Sequence, residues 1–143
     1  MAHGSIEGEV RVFGALDIST SALVAQRIRL DTISSNIANA QTTVRADGEP
    51  GPYRRRVPLF STGDGEGGKG VHVSEIAEDP SDVRIVYEPG HPHADAEGRV
   101  AYPNVDLATE MINGIAAARA YEANVTAIEV TKSMIASTLK LLA

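Results

Sequence analysis

Gly63-Asp64-Gly65-Glu66-Gly67-Gly68-Lys69-Gly70 is the stretch closest to a chemical motif in this chain. It fits G-x-G-x-x-G and all but the last position of the phosphate loop G-x-x-x-x-G-K-[ST]. Phosphate cradles need bare backbone N–H groups leading into a helix N-terminus. Here Asp64 and Glu66 put carboxylates where the anion would sit, Gly70 lacks the magnesium-binding hydroxyl, and Val71-His72-Val73 reads as a strand. The spacing therefore predicts an acidic hairpin loop rather than a nucleotide site.

Metal chemistry is the next candidate, at His91-Pro92-His93 with Asp95. Pro92 holds the backbone extended and turns neighbouring side chains apart, and there is no second ligand pair at a fixed distance. No metal or cofactor is expected. The chain has no cysteine, which excludes thiol catalysis and disulfides, and no serine sits in a nucleophile elbow. Arg54-Arg55-Arg56 is set among acidic residues without an aromatic platform, so it reads as an exposed charged segment suited to an acidic partner surface rather than to nucleic acid. Asn36 and Asn39 end a helical stretch; asparagine competes for backbone hydrogen bonds, and two amides three residues apart lie on neighbouring ridges, able to bond across a helix interface.

These groups belong to a chain of three compositional zones. All seven prolines lie between Pro50 and Pro103, leaving residues 13–40 and 104–143 free of them. The C-terminal zone carries a seven-residue apolar repeat, with a sites at Leu107, Gly114, Tyr121, Ile128, Ile135 and Leu142. Its d sites are Met111, Ala118, Val125, Lys132 and Leu139. That is the narrow seam of a coiled coil, and a helix from Leu107 to Leu142 spans about 54 Å. Such a rod wants a partner. The N-terminal zone supplies one, with Leu16, Leu23, Leu30 and Ile37 at heptad spacing and Ser19, Gln26, Ile33 and Ala40 at the d sites.

Between the helices, Val57 to Ser61, Val71 to Ile76 and Val83 to Tyr87 read as short strands, and Glu88 to Pro92 as a turn. The expected fold is mainly α with a small β element: long N- and C-terminal helices paired as a coiled coil around a short β or irregular middle. The expected boundaries are a flexible extension at 1–12, an N-terminal helix at 13–43, a loop and small β segment at 44–103, and a C-terminal helix at 104–143.

The 143 residues bound one domain, or a small domain with long extensions. A net charge of −6 gives no electrostatic case for nucleic acid or an anionic membrane. No apolar run approaches a membrane span, and Met1 to Val12 lacks the apolar core of a cleavable signal peptide. Membrane insertion is not expected.

Four blocks carry a resemblance. Leu16 to Leu23, running through Ala25-Gln26-Arg27 to Ser35-Asn36-Ile37-Ala38-Asn39-Ala40, is the first. Gly51-Pro52-Tyr53-Arg54-Arg55-Arg56-Val57 follows. The third joins Val86 to Pro92, Ala94 to Gly98, and Tyr102-Pro103-Asn104-Val105-Asp106. Glu110-Met111 with Ala118-Arg119-Ala120-Tyr121-Glu122-Ala123-Asn124-Val125 is the fourth. Together they resemble the bacterial flagellar axial proteins, the family of rod and hook subunits, and within it the proximal-rod group. The resemblance covers about Phe13 to Leu142, with the blocks in family order; Met1 to Val12 precede it. It singles out Asn36, Asn39, Tyr53, Asn104, Asp106, Arg119 and Asn124 as family-motif residues.

The resemblance implies a structural subunit without catalysis, exported through the flagellar type III export apparatus into the basal body within the cell envelope. Rod proteins B, F and G, basal-body protein E and further copies of the chain are its implied partners. A nucleotide-binding enzyme built on Gly63 to Gly70, and a helical adaptor closing into a discrete oligomer, are the competing classes.

Overall fold

The computed structural model describes residues 3–48, 51–63, 65 and 68–142, with side-chain surroundings described from Gly14 to Leu141 among them. In chain order the elements are α1 (His3–Ala38), β1 (Arg56–Thr62), β2 (Val71–Glu78), β3 (Arg84–Tyr87), β4 (Arg99–Tyr102) and α2 (Leu107–Leu142). The mainly α fold with a small β middle is as the sequence indicates.

Each helix is 36 residues long. α1 starts at His3, ahead of the expected helix boundary at residue 13, and no proline interrupts the residues between. Its other end is set by side chains. Asn39 Nδ2 donates to Ser35 O at 2.9 Å and Thr42 Oγ1 donates to Asn39 Oδ1 at 3.1 Å, which diverts the backbone out of the helix. The start of α2 is fixed by Asp106, whose Oδ1 accepts from Thr109 N at 2.7 Å, an N-cap three residues ahead of its partner.

The middle segment forms two two-stranded sheets, β1 with β2 and β3 with β4. The fourth strand had no expectation behind it. Arg99–Tyr102 is too short for alternation to show, yet it pairs antiparallel with β3 in the register Ile85 to Ala101 and Val86 to Val100. Gly98, at φ +75°, closes that hairpin; a Cβ there would press on Pro89 and Tyr87. The Gly63–Gly70 stretch joins β1 to β2, with Gly63 N donating to Gly70 O at 2.8 Å; Asp64, Glu66 and Gly67 lie outside the described residues. A strand follows it, as the hairpin reading requires.

The chain divides into two compact units. One comprises Met1–Ile28, Leu59–Glu75 and Ala116–Ala143; the other comprises Arg29–Pro58 and Ile76–Ile115. In the first, Ala25 of α1 and Ala117 of α2 are buried. There Ser21 Oγ donates to Ile18 O at 2.7 Å and accepts from Val71 N at 3.1 Å, which fastens the start of β2 to α1. In the second, Ile33, Ala40, Val100 and Pro103 are buried, and a Cβ on Gly114 would touch Ile33 at 3.7 Å, so the two helices meet there through the missing side chain.

Candidate functional site

Among the described residues, a dense set of side-chain hydrogen bonds lies within the second unit, around Asn36. This residue is 1 % exposed, in the last turn of α1. Its Oδ1 accepts from Tyr53 Oη and from Arg56 N, both at 2.9 Å. Its Nδ2 donates to Arg56 O at 2.8 Å and to Glu110 Oε2 at 3.0 Å. Both lone pairs and both protons of the amide are thus used. The Arg56 peptide is held on both sides, as a neighbouring strand would hold it.

Glu110 is fully buried in the first turn of α2, which puts its charge near the positive end of the helix dipole. Its other oxygen accepts from Arg55 Nε at 2.7 Å. Arg55 Nη1 then reaches Asp79 Oδ2 at 3.1 Å, and Arg55 N donates to Asn104 Oδ1 at 2.8 Å. Asn104 Nδ2 ties the segment after β2 into the same network, donating to Ser81 Oγ at 2.8 Å and Ser81 O at 3.1 Å. Burial opposes the charge on Arg55, but the hydrogen bond and charge of Glu110, followed by those of Asp79, outweigh it and hold the guanidinium above its ordinary pKa. Asp79 is held below the usual carboxylate range, first by the Ser81 backbone N–H and hydroxyl, then by Arg55.

This arrangement is a polar clasp joining the end of α1, the Pro-Tyr-Arg stretch, the turn after β2 and the start of α2. It presents no nucleophile with a base. A buried ion pair is a poor source of stability against an apolar replacement, but losing one partner is severe. Its physical value lies in allowing one register only, since any slip of the helices strands a buried carboxylate.

Of the motif residues, Asn36, Tyr53 and Asn104 are in the clasp; Asn39 ends α1 and Asp106 starts α2. Arg119 is exposed in the first unit, where Asn124 Nδ2 donates to Ala120 O of its own helix at 2.8 Å. Arg54-Arg55-Arg56 is not uniformly exposed: Arg55 faces inward and is neutralised within the chain. Sequence reasoning gave Glu110 no role and left Arg55 with its neighbours on an exposed segment, because nothing separates them from many other charges until the fold brings positions 36, 55 and 110 together.

The helical seams are covered unevenly. Ile33 is buried, while Leu16, Leu23, Leu30 and Ile37 of α1 are half-buried. Tyr121, Val125, Ile128 and Ile135 of α2 are half-buried too. Leu107, Met111 and Leu139 stand exposed, and the side chain of Leu142 lies outside the described residues. The covered stripe follows Ala117, Tyr121, Asn124, Ile128, Thr131 and Ile135: it keeps the a sites Tyr121, Ile128 and Ile135 at sevens, and its other line runs one residue ahead of the d sites Ala118, Val125 and Lys132.

Behind that stripe runs a second apolar line which the sequence reading missed. Ala116, Ala123 and Val130 recur at sevens, interleaved with Ala127, Met134 and Leu141 at the same interval, and every one of the six is exposed. Val130 is 53 %, Met134 65 % and Leu141 87 % exposed. The line escaped notice because half of its members are alanines. The C-terminal half of α2 is therefore apolar on two faces, only one of them covered.

Two family models match. One, described as flagella basal body rod protein, covers residues 16–46; the other, described as flagellar basal body rod FlgEFG protein C-terminal, covers residues 96–141. The chain is 46 % identical over 145 residues to the flagellar basal-body rod protein FlgC of Bacillus subtilis, covering 90 % of this chain and 97 % of that one. It is 45 % identical to FlgC of Yersinia enterocolitica, over 87 % of this chain and 93 % of that protein. FlgC of Borreliella burgdorferi is 39 % identical, over 92 % and 97 % respectively.

Proposed function

The chain belongs to the FlgC family of flagellar basal-body rod proteins, and we propose that it polymerises with other rod subunits into the proximal rod, the shaft that transmits torque and walls the export channel. It is a structural component of the basal-body rod. The observation that carries the finer reading is the exposed apolar line of α2. A helix covered on one face by its own chain and left apolar on the other is marginal alone and is completed by a neighbour.

Within each subunit the inner stripes of α1 and α2 pair as a coiled coil, and the outer line of α2 packs on adjacent subunits. A contact between unlike faces does not close on itself and extends into an open helical assembly. Repeated around the shaft, it resists twisting. The neighbours are further copies, rod proteins B, F and G, and basal-body protein E, reached after type III export. No helix among the described residues is long and apolar enough to cross a membrane.

The absence of native cysteine makes the test direct. Val130→Cys, labelled at that cysteine with a maleimide-benzophenone, should photo-cross-link to a neighbouring subunit in purified rods. Rods containing the variant but giving no inter-subunit product would contradict this packing.

A further inference from the structure

Beside the clasp, on the far side of Tyr53, the second unit holds an open cavity of about 250 Å³ lined by Ser35, Arg45, Tyr53, Arg54, Arg56 and Glu78 among others. Its three arginines face two carboxylates, Asp47 and Glu78, leaving one positive charge uncompensated on a chain whose net charge is −6. The arginines are not equivalent. Arg45 is consumed by Asp47 at 2.6 Å and Glu78 at 2.8 Å. Arg54 Nη1 is spent on the carbonyls of Asp79 and Ser81.

Arg56 differs. Its backbone is held by Asn36, while its guanidinium lies over the Tyr53 ring, 5.6 Å from the centroid, and meets no carboxylate at ion-pairing distance among the described residues. A guanidinium held over a ring face spends no N–H donor on that contact, so its fork stays available to a planar carboxylate acceptor. The Ser35 hydroxyl, 3.4 Å from Tyr53 Oη, adds a rotatable donor to the same wall.

We propose that this cleft is an interaction surface for an acidic segment of a neighbouring rod subunit, with a carboxylate of that segment seated on Arg56. The proposal rests on the rod-subunit reading for the source of the segment, but its chemistry stands on the cleft alone. Inorganic phosphate is the rival occupant, a free anion in place of a peptide carboxylate. The clasp gives the contact its rigidity: Tyr53 donates to Asn36, so the stacking platform cannot swing away while α1 and α2 are locked.

The test titrates the full chain with three probes, a blocked tetraglutamate peptide, a blocked tetraglutamine peptide and inorganic phosphate, followed by amide chemical shifts. Tetraglutamate should shift Ser35, Tyr53 and Arg56 saturably, and the other two should not. Arg56→Gln should weaken tetraglutamate roughly tenfold, as loss of one charge-assisted contact does. Arg84→Gln is the matched control, since Arg84 stacks 5.1 Å above Tyr102 outside the cleft, and should leave binding unchanged. Equal binding of phosphate or tetraglutamine overturns the proposal, as does undiminished binding by Arg56→Gln. A chain that enters rods but never binds tetraglutamate sinks the cleft and leaves the rod reading intact.

Discussion

Asn36 and Glu110, 74 positions apart in the chain, share a hydrogen bond of 3.0 Å in which both residues are excluded from solvent. This contact, closed by Arg55 on the far oxygen of Glu110, bonds the end of the first long helix to the start of the second. Alanine-rich helices have smooth surfaces that slide easily; a buried carboxylate with one correct position does not.

Glu110→Ala should therefore destabilise the subunit by about 3 kcal/mol, the penalty for breaking one side of a buried pair. Replacing Asn36, Arg55 and Glu110 together by apolar residues should cost much less, while loosening the helix register. Urea unfolding measures the first effect, and distances between spin labels on residues 34 and 112 measure the second. A single sharp distance in the triple variant would deny the clasp its role in register.

Acid should weaken the second unit. Ser81 and Arg55 hold Asp79 low, and the bond to Arg45 holds Glu78 low; Asp106 is lowered by the Thr109 N–H. A carboxylate whose folded pKa is depressed contributes stability above its unfolded pKa, and that contribution is lost as pH falls through the folded value. The urea midpoint should be flat above about pH 5 and fall below about pH 4. Asp79→Asn should shallow that fall. A midpoint unchanged down to about pH 3 would show that these pairs do not form in solution.

Gly70 sits at φ +116°, and a Cβ there would overlap the Ser21 hydroxyl. Gly70→Ala should destabilise by about 1–3 kcal/mol, the usual range for backbone strain of this kind. Exchange of the Val71 amide should quicken, because its acceptor is displaced. Adding Ser21→Gly should restore only the steric part.

Gln26 occupies a d site of the first seam, and its Oε1 is buried without a hydrogen-bond partner among the described residues. Gln26→Met keeps the length of the side chain and removes the orphan acceptor, so it should stabilise by about 1 kcal/mol. A lowered melting temperature would mean that the oxygen has a partner in the folded chain.

Much of this architecture is visible in the sequence before any coordinates. Proline confined to the middle announces two long helices, and alternation at Val83 to Tyr87 announces β3. What escapes is whatever depends on long-range approach. Arg55 looks like its neighbours until Glu110 arrives from 55 positions away. The start of α1 lies earlier than expected because polar, aperiodic residues hide a helix whose only local signal is the lack of a breaker. The outer line of α2 is hidden for another reason: alanine carries little hydrophobic contrast, so the eye follows the Ile and Leu face instead.

The most direct test of the rod reading uses a strain deleted for this protein and complemented with tagged variants, with purified basal bodies probed for the tag. The wild-type chain should be present in the rod and restore swimming. Val130→Asp and Met134→Asp, at exposed sites, should leave the isolated chain's melting temperature unchanged yet be absent from basal bodies, giving cells that do not swim. Normal swimming and incorporation by both variants would contradict assembly through the outer face of α2. Swimming restored with no tagged wild-type chain in the rod would overturn the account altogether.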